Sequence, residues 1–265
     1  MKKVGAGFIL SVWIASATFL CPTPGPAQAP AGPAAATAPT PAAPAIEPAA
    51  LERLKKMSDA LKGAESFRFT ARTLREQRSA AGPMLDFYMA SRVAVARPNR
   101  VRVDSSGDVV SASLWYDGKT VTILSGKSAF YGQAEAPPTI DETLRVLSER
   151  LQTPLPVAGF LVKDPYARMI EGVKVAFEVG PVRIDGVACH HFVFSEEDAD
   201  WQIWIEDGDR PVPRRLAVVY KKIEGSPRVV TAMSDWNLSA SIPASEFAFQ
   251  APAGAKKVDW ATGQK

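Results

Sequence analysis

Apolar and polar residues alternate along much of this chain, which is the pattern of strands that bury one face. The alternation is clear over residues 66–78, where Phe67, Phe69 and Ala71 alternate with charged and hydroxyl residues. Near the centre, strand-like runs follow one another with only short turns between them, over residues 187–194, 201–205 and 216–223. A parallel return needs a crossover of about a dozen residues, so these runs must pair antiparallel.

Further strands are predicted on both sides of this central meander. The Asp117-Gly118 pair lies between two apolar runs and is typical of a hairpin turn. The other strand patterns extend over residues 84–96, 101–105, 114–124, 129–133, 173–179, 228–238 and 247–249.

Helical spacing appears in two separate parts of the chain. In residues 48–64, apolar residues recur at intervals of three or four, and Gly63 marks the end. In the second part, Thr139 and Glu142 form a capping box that opens a helix. The apolar stripe of that helix consists of Ile140, Leu144, Leu147 and Leu151.

Two shorter helical pieces are predicted after this second helix. One lies near residues 155–162, and the other begins at Asp164-Pro165, where the aspartate caps the helix and the proline takes its first position. Gly172 ends it.

These elements predict an α+β domain with one large antiparallel sheet. A sheet of about eleven strands must curl strongly or close. We therefore expect a half-open barrel, with the helices covering the concave face of the curved sheet.

The N-terminus has the features of an export signal. Lys2 and Lys3 precede an apolar run over residues 4–20, and Ala27-Gln28-Ala29 has the form of a cleavage site. An uncleaved membrane anchor is one alternative, because this run of 17 residues reaches the lower limit for spanning a bilayer. Lipid modification of Cys21 is another, although the residue before it is not small.

Composition then sets the domain boundaries. We expect a signal peptide over residues 1–29, an Ala/Pro-rich disordered linker over 30–48, one domain over 49–260 and a tail over 261–265. The linker composition cannot build a packed core and is typical of a semi-rigid tether. The predicted location is the periplasm.

The charge balance argues against nucleic acid as a partner. The formal net charge is +3, and without Lys2 and Lys3 the chain has 29 basic residues against 28 acidic ones. Nucleic-acid binding needs clustered positive charge. A local cluster remains as either a basic patch or the solvated face of a strand: Arg214, Arg215, Lys221 and Lys222.

Residues that carry metal or catalytic chemistry are few. Cys189-His190-His191 is the one cluster of metal-ligand types, and on a strand Cys189 and His191 share a face while His190 points the other way. Zinc needs three or four ligands, and apart from Cys21 the chain has no other Cys or His. A structural role for this cluster is the preferred interpretation, so we expect no metal site.

Motifs for covalent or phosphate chemistry are missing from the sequence. No G-x-S-x-G motif and no glycine-rich phosphate loop occurs. Glu206 or Asp207 near Trp201 and Trp204 has the residue types of a sugar site, but core and turn roles explain these residues better. We therefore expect neither an enzyme nor a cofactor.

Three stretches together resemble a known family. They are W-Y-D-G-K at Trp115–Lys119, C-H-H-F at Cys189–Phe192, and W-Q-I-W-I-E with P-R-R-L across Trp201–Leu216. The chain resembles a bacterial family of predicted periplasmic proteins, domain of unknown function 2092. That family is similar in fold to the periplasmic lipoprotein carriers and their relatives, among them mycobacterial glycolipid carriers and regulators that sense mislocalised lipoproteins.

The resemblance implies a curved, unclosed antiparallel sheet with helices over its mouth, enclosing an apolar cavity for acyl chains. It assigns no functional residue. Candidate ligand-binding residues therefore come from the apolar and aromatic positions of the predicted strands and helices, although core packing alone also explains these positions. They are Phe67, Phe69, Phe87, Met89, Trp115, Leu144, Leu147, Phe160, Met169, Phe192, Phe194 and Ile203.

The expected function is that of an exported periplasmic protein which binds or carries a lipid or lipidated protein in an apolar cavity. Its partners would be acyl chains, with transient membrane contact, and residues 155–172 would form the lid. The alternative is an envelope-sensing or protein-interaction domain on the same fold, without catalysis. It would bind an envelope protein through an exposed sheet edge and the basic patch.

Overall fold

A single twelve-stranded sheet organises the residues that the computed structural model describes, which are 46–109, 111–126, 129–151 and 156–259. In chain order the strands are β1 Ser66–Arg78, β2 Met84–Ala96, β3 Arg100–Gly107, β4 Ser111–Tyr116, β5 Thr120–Ser125, β6 Phe130–Glu135, β7 Val175–Ile184, β8 Val187–Ser195, β9 Ala199–Glu206, β10 Pro213–Tyr220, β11 Arg228–Asn237 and β12 Lys256–Val258.

The sheet is mostly antiparallel and does not close. Its spatial order is β12-β6-β5-β4-β3-β2-β1-β11-β10-β9-β8-β7, so β12 and β7 are the edges. The first strand, β1, pairs with β11 near the middle of the sheet. The pairing of β12 with β6 is parallel, and every other strand pair is antiparallel within the described residues.

The second and third α-helices begin where the sequence supplies side-chain caps, whereas the first has none. The α-helices are α1 Pro48–Lys62, α2 Ile140–Leu151 and α3 Pro165–Ile170, and 3₁₀ helices span Pro156–Phe160 and Ala244–Phe247. At the start of α2, the Glu142 amide donates to Thr139 Oγ1 at 3.3 Å, and the Thr139 hydroxyl donates to the Glu142 carboxylate at 2.9 Å. At α3, the Ala167 amide donates to the Asp164 carboxylate at 3.1 Å.

All three α-helices lie against one face of the sheet. Cross-strand partners share a face, and Phe67, Val95, Val101 and Tyr116 are partners in turn from β1 to β4. The face that carries Phe67 is called the inner face and the opposite one the outer face. Helix residues belong to the same buried cluster as these strand residues: Leu54, Met57 and Leu61 of α1, Ile140 and Leu147 of α2, and Phe160 of the 3₁₀ helix.

The predicted fold class is confirmed: an α+β fold with a large, curved, unclosed sheet and helices on one face. The described part has twelve strands where about eleven were expected. The predicted strand over 247–249 is wrong, because Ala244–Phe247 forms a 3₁₀ helix and the edge strand lies later, at Lys256–Val258. Two phenylalanines at alternate positions mimicked a strand there, whereas Phe247 is buried and Phe249 packs on Trp115.

Several predictions fall outside the described residues. They are the export signal over 1–29, Cys21, residues 30–45 of the linker and the tail over 261–265. Residues 46–48 of the predicted linker are described: Ile46 forms a parallel bridge with Ala176 of β7, and Pro48 begins α1.

Candidate functional site

The centre of the inner face is a packed apolar cluster. Phe67 and Phe69 of β1, Phe192 and Phe194 of β8 and Ile203 of β9 are each 0–2% exposed. Phe192 is the cross-strand partner of Ile203, so β8 and β9 present a continuous apolar surface. The structure therefore brings these predicted binding residues together as core.

The helical cover contributes the next group of predicted residues. Phe160 is fully buried, and Leu147 is 5% exposed. Leu144 and Met169 are partly buried and pack against the same cluster. These four residues form the inside of the cover over the sheet, defined as residues 136–151 and 156–174.

Phe87 and Met89 lie on the same face but nearer one end of the sheet. That end, formed by the turns at 79–83 and 221–227, is called the mouth end. Phe87 is the cross-strand partner of Arg75, and Met89 is the partner of Thr73. Both apolar side chains are half-buried, so the inner face grades from packed core to partly open surface.

Trp115 stands apart from the other predicted binding residues because it lies on the outer face. It is the cross-strand partner of Arg102, whose guanidinium sits 3.8 Å from the Trp115 ring centroid. Phe249 covers the ring from the C-terminal segment, at a centroid separation of 5.0 Å. Trp115 therefore packs under that segment and does not join the inner-face group.

Two tryptophans of the inner face were not among the predicted binding residues. Trp236 of β11 stacks on Phe69 at 4.2 Å and donates to Pro213 O at 2.9 Å. Trp201 of β9 stacks on Phe194 at 4.0 Å and donates to the Glu196 carboxylate at 2.7 Å. Both indoles satisfy their polar N–H at the margin of the apolar cluster, so they extend its area without an unpaired donor.

Hydroxyl groups cross the middle of the inner face, and they are paired with one another. Ser91 and Ser105 hydroxyl oxygens are 2.8 Å apart, and those of Thr73 and Thr231 are 3.0 Å apart. Mutual hydrogen bonding removes most of the cost of placing such groups beside apolar chains. The inner face therefore stays effectively apolar between its core and the mouth end.

A half-buried arginine fastens the cover to the sheet. Arg97 donates from Nη1 to Leu161 O at 2.8 Å and lies over the Phe67 ring, 5.6 Å from its centroid. Its Nε and Nη2 are buried without a hydrogen-bond partner in the described residues. Burial lowers the pKa of this guanidinium, and the Asp141 carboxylate opposes that shift.

Charged groups fasten α1. Arg53 pairs with Asp207 at 3.2 Å, and Lys62 pairs with Asp164 at 2.7 Å. Asp207 lies 3.4 Å from His190 Nε2, and the other ring nitrogen of His190 contacts Glu178. These polar contacts surround the apolar cluster and hold α1 in place over it.

A cavity of about 620 Å³ opens at the mouth end. Arg75, Gln77, Tyr220 and Val229 line it together with the β1–β2 turn. Arg75 is the cross-strand partner of both Phe87 and Val229, which places it on the inner face. The cavity thus adjoins the open end of the apolar surface.

The Cys189-His190-His191 cluster has structural contacts. His191 stacks on Trp204 at 4.1 Å and hydrogen-bonds to Gln202 at 3.1 Å, while Cys189 is fully buried. Burial raises the pKa of the Cys189 thiol and lowers that of His191. Across the described residues, no three His, Cys, Asp or Glu side chains are grouped to hold a metal ion.

The four basic residues of the proposed patch are mostly paired. Arg214 contacts Glu206 at 3.5 Å, Lys221 contacts Asp200 at 2.9 Å, and Lys222 contacts Glu197 at 2.8 Å. The Arg215 guanidinium lies 5.4 Å from the Trp204 ring centroid. These contacts favour a solvated, charge-paired surface over a free basic patch.

In the described ranges, no helix is long and apolar enough to span a bilayer.

Sequence comparison identifies the family. The chain matches the family described as "Predicted periplasmic protein (DUF2092)" over residues 50–261, and it belongs to that family. The resemblance drawn from the motifs is therefore confirmed, as is the periplasmic location. No curated protein shows significant sequence similarity to the chain.

Solved structures with similar folds are distant in sequence. The lipoprotein LppX of Mycobacterium tuberculosis is 16% identical, with 74% of this chain and 100% of that chain covered and a TM-score of 0.43. An uncharacterised conserved protein of Thermus thermophilus is 14% identical, with 80% and 99% covered and a TM-score of 0.45. A LolA superfamily protein of Nitrosomonas europaea is 12% identical, with 76% and 97% covered and a TM-score of 0.39.

Proposed function

We propose that this periplasmic protein binds and carries a lipid, or the acyl chains of a lipidated protein, on the inner face of its sheet. The observation that carries the proposal is the gradient along that face. Val95 and Val93 of β2 are 0% and 3% exposed, whereas Met89 and Phe87 on the same strand face are half-buried near the mouth end. An acyl chain would enter there and extend toward the core.

The cover is built so that it can move. It consists of α2, a five-residue 3₁₀ helix and the six-residue α3. Helices this short have little intrinsic stability and depend on packing. The Arg97–Leu161 bond joins the cover to the sheet, whereas the bond from the Lys163 amide to the Asp141 carboxylate, at 3.0 Å, lies within the cover. Displacing this cover exposes Phe160 and the inner face beneath it.

The free energy gained by burying an acyl chain can be compared with that of the polar contacts that hold the cover. Burying a methylene gains about 0.8 kcal/mol, so an acyl chain of about 15 methylenes gains on the order of 10 kcal/mol. Exposed ion pairs such as Lys62–Asp164 contribute only about 0–1 kcal/mol each. A bound chain can therefore offset the loss of the contacts that hold the cover closed.

The test is native mass spectrometry of the full chain, expressed with its own N-terminal segment and purified from the periplasm without detergent. Added mass that extracts into organic solvent supports lipid binding, and its fragments identify the lipid. A bare mass, even after incubation with membrane vesicles, contradicts the proposal.

A second candidate, a protein-interaction domain without catalysis, is favoured by the edge strand β7. Ile46 and Glu47 cover only its start, where the Glu47 amide donates to Ala176 O at 2.8 Å. Beyond that, Val179 is 57% exposed and Val182 is 37% exposed. Sheet edges of this kind accept a strand from a partner. A photo-crosslinker at position 182 would yield one discrete envelope-protein adduct if this candidate is correct, and a crosslinker at exposed Val109 would not.

A further inference from the structure

The cavity at the mouth end has one charged group on its inner-face wall. By strand alternation Arg75 faces inward, whereas its neighbours Glu76 and Arg78 face outward. Glu76 accepts a hydrogen bond from the Arg228 amide at 2.8 Å, and Glu224 pairs with Arg78 at 3.4 Å. The acidic groups of the cavity are therefore engaged at its margin.

Arg75 itself has no counter-ion among the residues that the structure describes. It is half-buried, and no acceptor among the described residues hydrogen-bonds to or pairs with its guanidinium. A guanidinium has five N–H donors in a planar fork that matches carboxylate and phosphate oxygens. Partial burial without a partner is unfavourable for such a group, and an anion in the cavity would supply the missing acceptor.

Tyr220 provides a second donor on the same cavity. Burial raises the pKa of its hydroxyl to about 12, so the hydroxyl stays protonated at neutral pH. Within the described residues its oxygen has no hydrogen-bond partner, while its backbone amide bonds to Pro227 O at 3.1 Å. A fork of N–H groups and a separate O–H suit a tetrahedral oxyanion, which offers oxygens in more than one direction.

We infer that the mouth cavity binds the anionic phosphate head group of the carried amphiphile, with Arg75 and Tyr220 as donors. This inference rests on the proposed lipid binding. Phe87 of β2 is the cross-strand partner of Arg75, and its half-buried ring would then contact the first part of the acyl chain. The protein would select anionic phospholipids over zwitterionic ones.

The test compares head groups at constant acyl chains. The full-length protein and its variants are incubated with vesicles of equal parts phosphatidylglycerol and phosphatidylcholine, re-isolated, and their bound lipids are counted by mass spectrometry. Both lipids carry a phosphate, but the choline cation of phosphatidylcholine would be repelled by Arg75, so we expect phosphatidylglycerol to be enriched about 10-fold. Arg75→Gln should abolish the enrichment, and Tyr220→Phe should lower the total amount of both bound lipids about 3-fold.

Arg72→Gln is the matched control, since Arg72 lies on the same strand but is exposed on the outer face. A second arm measures binding of glycerol 1-phosphate alone by calorimetry. Binding that depends on Arg75 without chains identifies a soluble phosphate as the occupant of the same cavity. Binding only in the vesicle arm identifies the lipid head group.

The failures are distinguishable. If neither the unmodified protein nor any variant retains lipid, the proposal of lipid carriage is wrong. The head-group inference is then also wrong, unless glycerol phosphate still binds through Arg75. If lipid is retained but Arg75→Gln has the same head-group composition as the unmodified protein, the inference is wrong and lipid carriage stands.

Discussion

Arg97 joins the sheet to its helical cover through a single directed bond, from Nη1 to the Leu161 carbonyl at 2.8 Å. The rest of the guanidinium is buried over Phe67, with two nitrogens that have no partner in the described residues. Burying the two unpaired nitrogens of Arg97 therefore costs free energy of folding. Its one hydrogen bond goes to the cover, which is the part of the chain that would move when a lipid binds.

Arg97→Met is expected to loosen the cover with little effect on global stability. The lost hydrogen bond is offset by removal of unpaired buried donors, so the free energy of unfolding should change by less than about 1 kcal/mol. Hydrogen exchange at the Leu161 and Lys163 amides should accelerate about 10-fold. Arg100→Met, at an exposed arginine at the start of β3, is the control. Unchanged exchange in the Arg97 variant would show that the bond does not hold the cover.

Apolar positions on the inside of the cover should be required for lipid retention. Phe160→Asp or Met169→Asp places a carboxylate against the apolar cluster, which disfavours an acyl chain there. Bound lipid should be lost while circular dichroism still reports the sheet. Ala167→Asp, at an exposed position on the same short helix as Met169, should retain lipid. Lipid retention by both inner variants would exclude this segment as the lid.

Phe87 and Tyr88 are neighbours on β2 and lie on opposite faces of the sheet, so substitutions at these positions test which face binds lipid. Phe87→Asp should lower the amount of bound lipid at least about 10-fold, because its half-buried ring lies on the inner face. Tyr88→Asp should leave bound lipid unchanged, because Tyr88 is 58% exposed on the outer face. The measurement is lipid per protein by mass spectrometry. Equal losses in the two variants would place the ligand elsewhere.

Acid should weaken the junction between α1 and α3. The bond from Lys62, together with the Ala167 amide, lowers the pKa of Asp164 below its ordinary value of 3.8. A lowered folded-state pKa stabilises the fold above the unfolded-state pKa, and this contribution is lost as the pH falls through the folded-state value. Asp164→Asn should therefore be less stable than the unmodified protein at neutral pH in urea unfolding. The difference should begin to shrink below pH 3.8 and vanish once the pH lies below the lowered folded-state pKa, and a difference that stays constant on acidification would contradict the assignment.

The sequence predicts the fold well where turns punctuate the alternation. The strands at 66–78 and 84–96 match the structure because Gly82-Pro83 and Arg97-Pro98 bound them. The same alternation indicates that Phe67 and Phe69 share a face. It cannot relate the faces of different strands, because that phase depends on the turn geometry. For this reason the prediction grouped Trp115 with residues of the inner face, although it lies on the outer face.

The candidate site was harder to predict because its polar part depends on long-range pairing. Arg75 shares the parity of Phe67 and Phe69, which is a signal that sequence alone contains, but its lack of a counter-ion in the described part of the chain depends on distant residues. The converse holds for Lys221 and Lys222, whose neighbours in space are Asp200 of β9 and Glu197 of the turn before it. Spacing along the chain records neither relationship.

The two ends of the described domain partly cover opposite margins of its open sheet. Ile46 pairs parallel with the start of β7, and Lys256–Val258 pair parallel with β6. Free sheet edges are templates for association between chains. These two segments therefore reduce the length of free sheet edge that is open to self-association. A fragment trimmed beyond Glu47 or before Lys256 would keep its core and helices and still expose more of one sheet edge to a second chain.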